Sequence, residues 1–395
     1  MNLFLKRNAP VFYMALAMIV LYAPWMGRGY VNLEYPFSMA ARGLSDSRFA
    51  DQLDVYFGIQ ANPLGYSFVL ALIYKILGYH DWFWLAKLPS LCGALMIIIA
   101  GWMLTRDRWH GRRSLFYFWS NLIILNPLFV AFATSSTADV LHIGLLMLAI
   151  AIALESKNDS WVMPTIASLI FGFAVITKYI PMYFGLAFIA IAVLSKTELK
   201  RMPKIIWRDI TIYVLVPGAI LVFYIWWLYL NYSVFISYGL RPGTPDFFDV
   251  PKFLVTFGKY LAFIGLCCGP VSLVLIFKNF NKPTNRFLIL LFLSTSTVLG
   301  FYLSTIRVDE MDFGGGFPFG VNILRGVQTI GFVIGLSVLS VLFKLSSSSN
   351  RLQKVLISGI APSLVMISLT LPTQRYIMIV IPATLILLVD ASSAF

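Results

Sequence analysis

The sequence predicts an all-α, polytopic membrane protein, and three observations predict it. Of 395 residues, 59% are apolar and 12% charged, against about 45–50% and roughly 25% in a soluble domain. The apolar residues come in continuous runs close to the roughly 20 needed for a bilayer-crossing helix. They do not alternate with polar residues, as an outer-membrane barrel would require. Basic residues sit in short clusters between the runs, so the net charge of +13 reads as an orienting signal in the membrane. No nucleic-acid partner is expected. The three cysteines (Cys92, Cys267, Cys268) lie inside apolar runs, which excludes a disulfide scaffold.

Taken in order, the first apolar run begins at Ala9. No small-residue cleavage site follows it, so it reads as a retained helix and not as a removed signal. Spans are expected near 9–26, 87–105, 115–133, 139–155, 161–177, 180–196, 209–230, 256–277, 287–305, 327–344, 355–371 and 377–391. The apolar run Asn62–Gly78 decides the topology. If it spans, the cluster Arg106, Arg108, Arg112, Arg113 faces away from the cytoplasm. If it lies along the outer surface as an interfacial helix, the cluster is cytoplasmic, as the positive-inside rule requires. With the second choice, 18 of the 30 basic residues fall inside, nearly all in short loops, and 11 of the 17 acids fall outside. The expectation is about 12 transmembrane helices in one domain over 1–395. Amphipathic interfacial helices sit in the first outside loop, no soluble domain is present, and both termini are cytoplasmic.

Three outside loops are long: 27–86, 231–255 and 306–326. Long loops of this kind are usually functional or disordered, and their Tyr, Phe, Gly and Pro content favours order. No inverted repeat of the transporter kind is visible. Ser346–Ser349 reads as a cytoplasmic linker.

The candidate chemistry lies on the outside. Glu34 opens the stretch LEYPFSMAARGLS, which has helical character, and it is either a solvated loop acid or a general base. Asp139 sits at a very short outside turn, where a carboxylate at membrane depth faces a cavity or a partner; helix capping beside Ser135, Ser136 and Thr137 is the plainer reading. Lys178 lies between two apolar runs with almost no loop. It either snorkels to headgroups or binds a phosphate. Arg375 carries the same two readings. Asp51 and Asp54 share a helical face. Asp309, Glu310 and Asp312 precede three glycines and could hold a divalent cation such as Mg or Mn, cover a substrate, or be solvated. The three histidines show no metal-ligand spacing, and no phosphate-binding Gly-rich loop is present.

The order of these features resembles the glycosyltransferase C superfamily. The nearest branch includes protein O-mannosyltransferases and bacterial aminoarabinose transferases acting on lipid A. The features are an early outside acid, an amphipathic helix opening at a proline, an arginine-rich inside turn, Asn126-Pro127 with Asp139 about a dozen residues on, the GxxxxTK run ending at Lys178, and the late RYxxxxxP from Arg375 to Pro382. The family's Asp-Glu pair ahead of Ala-Arg is matched by Leu33-Glu34 ahead of Ala41-Arg42, without the first acid. Its basic-Pro-Pro helix start is matched by Asn62-Pro63-Leu64, without the basic residue. Its Thr-Lys-Gly is matched by Thr177-Lys178-Tyr179, and its Arg-Tyr by Arg375-Tyr376.

The resemblance implies transfer of a sugar from a polyprenyl-phosphate carrier to a lipid, glycan or protein acceptor, on the outer face of the cell (inner) membrane. Glu34 would be the base and Asp139 would orient the acceptor or hold a cation. Lys178 and Arg375 would face the leaving phosphate at the outer headgroup level and converge on it, with Tyr376, Arg42, Asp51 and Asp54 as further binding residues. The loop carrying Asp309, Glu310 and Asp312 would close over the sugar. Membrane lipids are the remaining expected partners. A transporter or flippase of a lipid-linked sugar is the alternative, and an inactive scaffold is the third.

Overall fold

The computed structural model describes residues 2–29, 34–59, 63–77, 83–156, 160–194, 203–233, 250–280, 292–302, 321–347, 350–370 and 374–393. Among these residues all regular secondary structure is helical. It divides into two compact units, Met1–Pro242 and Gly243–Phe395.

The first unit holds α1 (Asn2–Met26), α2 (Glu34–Ser45), α3 (Asp51–Ile59), α4 (Gly65–Leu77), α5 (Phe83–Thr105), α6 (Arg113–Ile124), α7 (Pro127–Ala133), α8 (Ala138–Glu155), α9 (Val162–Thr177), α10 (Gly185–Leu194) and α11 (Pro203–Tyr232). The second holds α12 (Val250–Phe280), α13 (residues 292–302), α14 (Val321–Ser346), α15 (Arg351–Thr370) and α16 (Ile381–Ser393). Short 3-10 turns at Ile180–Phe184 and Gln374–Ile379 lead into α10 and α16.

Among the described residues, seven helices are long and apolar enough to cross a bilayer: α1, α5, α8, α11, α12, α14 and α15. An eighth crossing is formed if α6 and α7 act together, but they are bent by 66°. The span expected near 115–133 is thus broken into two helices. The break falls at Asn126-Pro127. Asn126 caps α7 by accepting from the Leu128 amide at 3.0 Å, and Pro127 takes the first helical position, where its missing N–H costs nothing. The interrupted ladder is repaired from outside, since the Tyr22 hydroxyl of α1 donates to the Ile124 carbonyl at 3.0 Å. Twelve crossings would require α9, α13, α16 and the Ile180–Leu194 segment each to cross as well. At 13 residues, α4 is about 20 Å long, short of a hydrocarbon core of roughly 30 Å.

Small residues let the long helices approach. A Cβ added at Gly144 of α8 would overlap the Gly93 carbonyl of α5, and one at Gly93 would meet the Leu141 backbone. In the second unit, Gly265 of α12 and Gly331 and Gly335 of α14 stand in the same relation. Between apolar helices in lipid, close backbone packing of this kind replaces the hydrophobic drive. α5 and α8 run parallel. Lys87 and Ser90 near the start of α5 lie level with Thr137 and Asp139, and at the far end Arg106 pairs with Glu155 at 2.5 Å.

The segment between α1 and α5 is built as α2, α3 and α4, packed on one apolar cluster with the starts of α5 and α8 and the ends of α9 and α11. Phe37, Tyr56, Leu64, Tyr66, Leu70 and Leu228 are fully or almost fully buried in it. The start of α4 is fixed twice. The Leu64 amide donates to the Tyr224 hydroxyl of α11 at 2.8 Å, and a Cβ at Gly65 would stand 2.6 Å from Thr177 Cα. α4 therefore begins against the end of α9, beside Lys178.

Candidate functional site

One end of the first unit collects five charged side chains. Glu34, Lys87, Asp139 and Lys178 are all buried, and Arg28 is about one-third exposed. Burying charges is costly unless they are paired and hydrogen-bonded, so each partner matters.

Asp139 lies in the first turn of α8, after the N-cap Thr137. Lys178 is the C-cap of α9, with extended backbone. The two form an ion pair, Lys178 Nζ to Asp139 Oδ1. Each charge sits at the helix end whose dipole favours its sign. His142, one turn further along α8, is buried on the same face and feels both charges. Its Nδ1 is 2.8 Å from the Ala138 carbonyl. A carbonyl can only accept, which places the ring proton on Nδ1.

Glu34 is the first residue of α2, again an acid at a helix N-terminus. Its Oε1 accepts from Arg28 Nη2 at 3.0 Å, and the same Nη2 donates to Ser135 Oγ at 2.6 Å. Its Oε2 is buried with no hydrogen-bond partner. Lys87 is fully buried inside α5 and donates to the Arg28 carbonyl at 2.5 Å. It feels Glu34 as an opposite charge and Arg28 as a like one.

Hydroxyls tie the group together. Ser90 Oγ donates to the Thr137 carbonyl at 2.9 Å. The Tyr66 hydroxyl of α4 donates to the Ala86 carbonyl at 2.7 Å and lies 3.1 Å from Ser90 Oγ. Burial holds the Tyr66 phenol well above the usual tyrosine range, and that of Tyr56 likewise.

The other expected residues lie on other elements. Arg42 is half-buried in the last turn of α2. Asp51 and Asp54 are one turn apart on α3, and both are exposed. Arg375 and Tyr376 lie in the 3-10 turn before α16, in the second unit, with the Arg375 guanidinium 5.5 Å from the Tyr376 ring centroid. Asp309, Glu310 and Asp312 lie outside the described residues. Among the described residues, no group of three or more His, Cys, Asp or Glu could hold a metal ion. The partner of Asp139 is an ammonium group.

The sequence reading gives Arg28, Lys87 and His142 no place in the site, and Ser135 only a capping one. Lys87 carried a usable signal, a lone charge inside the apolar run WFWLAKLPS. A charge there marks a functional position by default.

A scan against protein-family models finds no match to this chain, and a search of curated proteins finds none either. Among solved structures, the chain is similar to ArnT from Cupriavidus metallidurans bound to undecaprenyl phosphate. The identity is 14% and the TM-score 0.47, over 98% of this chain and 78% of that one. It is also similar to the apo state of the same protein, at 15% identity and a TM-score of 0.44, over 97% of this chain and 77% of that one.

Proposed function

We propose that this chain is a membrane glycosyltransferase that takes a sugar from a polyprenyl-phosphate-linked donor and passes it to an acceptor at one membrane face. The observation that supports it is the charge cluster at one end of the unit: two buried cations (Lys87, Lys178) and the partly exposed Arg28 against two buried carboxylates (Glu34, Asp139). The cluster as a whole carries one more cation than carboxylate, with Arg28 reaching its open side, and a lipid phosphate at headgroup depth is an anion available to it. The order of motifs quoted above supports the same reading.

In this reading the lipid tail lies between helices and the phosphate meets Lys87 and Arg28. As the sugar–phosphate bond breaks, negative charge grows on the leaving phosphate, and fixed cations stabilise it there. Glu34 takes the proton of the acceptor hydroxyl. One of its oxygens is oriented by Arg28 and the other is left without a donor, the arrangement a general base needs. Lys178 keeps Asp139 in place, and Asp139 in turn borders the acceptor. The site so built is confined to the first unit. The clustering of charge at one end favours one-sided chemistry over a transport path, which would need polar groups along the full depth.

The test is binding of undecaprenyl phosphate and of uncharged undecaprenol to the purified full chain. Saturable binding of the phosphate, weakened at least about tenfold by Lys87→Met, is expected. Equal binding of both lipids, or an unchanged Lys87→Met variant, would overturn the phosphate assignment. Movement of the intact donor across vesicles without product would favour the flippase.

A further inference from the structure

The second unit carries an apolar groove of its own. Between α14 and α15 runs a groove of about 550 Å³ lined by Leu339, Leu342, Phe343, Ile357, Ile360 and Leu364, among others. That is within the usual size of small-ligand pockets, roughly 300–1,000 Å³. Its rim is open to the surroundings: Phe343 is 79% exposed, and Ser340 and Ala361 are exposed too. The groove starts at Ser346 and Ile357, near the turn joining the two helices, and runs about 10 Å along them to Leu339 and Leu364.

The turn end is strongly basic. From Lys344 to Lys354 the sequence reads KLSSSSNRLQK, with Lys344, Arg351 and Lys354 and no acid. Lys344 is exposed, and Lys354 lies one turn before the groove residue Ile357. Asp390 of α16 is buried and accepts from Gln353 Nε2 at 2.8 Å. Both helices are long and apolar enough to cross the membrane, so the Leu339–Leu364 end of the groove lies toward acyl-chain depth and the turn end, with Lys344 and Lys354, toward headgroup depth. Basic pockets between transmembrane helices take anionic lipid headgroups.

We infer that the α14–α15 groove is a binding site for an anionic phospholipid, one acyl chain lying along Leu339–Phe343 and Ile357–Leu364 and the phosphate against Lys344 and Lys354. The charge complementarity selects an anionic over a zwitterionic lipid. The groove lining contains no titratable group.

Native mass spectrometry of the full chain, with dioleoyl phosphatidylglycerol against dioleoyl phosphatidylcholine, reads the preference directly. The wild type should retain phosphatidylglycerol selectively. Lys344→Gln with Lys354→Gln should weaken it about fivefold per charge removed. Ala361→Trp keeps the charges and fills the groove, and should lose the lipid; Ala361→Ile serves if the tryptophan variant does not fold. Equal retention of the two lipids, or a preference unchanged in both the charge and the groove variants, overturns the site. So does a dimer that Ala361→Trp dissociates, since a second copy would then be the occupant. Undecaprenyl phosphate binding, which reports on the first unit, should be unaffected by all of these variants.

Discussion

Lys178 and Asp139 close the α8–α9 hairpin at its charged end, the ammonium from the C-cap of α9 lying against a carboxylate in the first turn of α8. The pair explains how a lysine survives between two apolar runs with almost no loop to solvate it. It does not snorkel; it is buried and neutralised by a fixed partner. Such a pair adds little stability over a well-packed apolar replacement, but breaking it from one side leaves a charge stranded.

The first prediction follows from that asymmetry. Asp139→Leu and Lys178→Met should each destabilise the chain by about 3–5 kcal/mol. The double variant should recover much of the loss. Thermal unfolding in detergent checks it as a double-mutant cycle. Losses that simply add would show that the two charges are satisfied independently.

Glu34→Gln keeps the shape and still offers an oxygen to Arg28 Nη2, but removes the proton acceptor. Transfer should fall by roughly 10²–10⁴-fold, with undecaprenyl phosphate binding retained. Wild-type turnover in the variant would reduce Glu34 to a counter-ion for Arg28.

How much of this was legible in the sequence depends on the residue. The helix opening at Glu34, the placement of Asp139 at the start of α8 and the end of α9 at Lys178 follow from helical character and apolar run length, which are local properties. The break at Asn126-Pro127 was present as a dipeptide, but the flanking runs are both apolar and hydropathy averages across them. Lys87 was assigned to a span boundary, because one charge at the edge of an apolar run looks the same whether it snorkels or turns inward. The Arg28–Glu34 and Arg28–Ser135 contacts and the α5–α8 approach through Gly93 and Gly144 are tertiary facts. Nothing in the spacing of glycines alone says which helix they will meet.

That approach sets the level of Lys87 and Ser90 against Thr137 and Asp139, so it can be tested through the site. Gly144→Ala places a methyl group into the Gly93 carbonyl, and backbone on the other side cannot give way without moving a helix. A loss of about 1–3 kcal/mol is expected, together with weaker undecaprenyl phosphate binding. Gly218→Ala is the control. It lies in α11 with nothing within 4 Å of the added Cβ, and should be neutral or stabilising by up to about 1 kcal/mol. If the two variants behave alike, the close contact is not what positions the site.

The last prediction concerns alkaline pH. Tyr56 and Tyr66 are fully buried, and burial pushes both phenols well above the usual tyrosine range. An unfolded tyrosine ionises near pH 10. A group whose folded pKa is raised contributes stability that is present below its unfolded pKa and lost as pH rises above it. The unfolded state there has released a proton that the folded state still holds. The chain should therefore lose stability progressively above about pH 10. In a titration followed by phenolate absorbance, the exposed tyrosines among the 19 should ionise first, and the buried pair only with cooperative unfolding. Tyr66→Phe removes the hydrogen bond to the Ala86 carbonyl and should cost about 0.5–1.5 kcal/mol at neutral pH. Joined with Tyr56→Phe, it should also flatten the alkaline decline, because two of the linked protons are gone. A double variant with the wild-type slope above pH 10 would show that these phenols ionise in the folded state, and that the packing of α3 and α4 over the site is open to water.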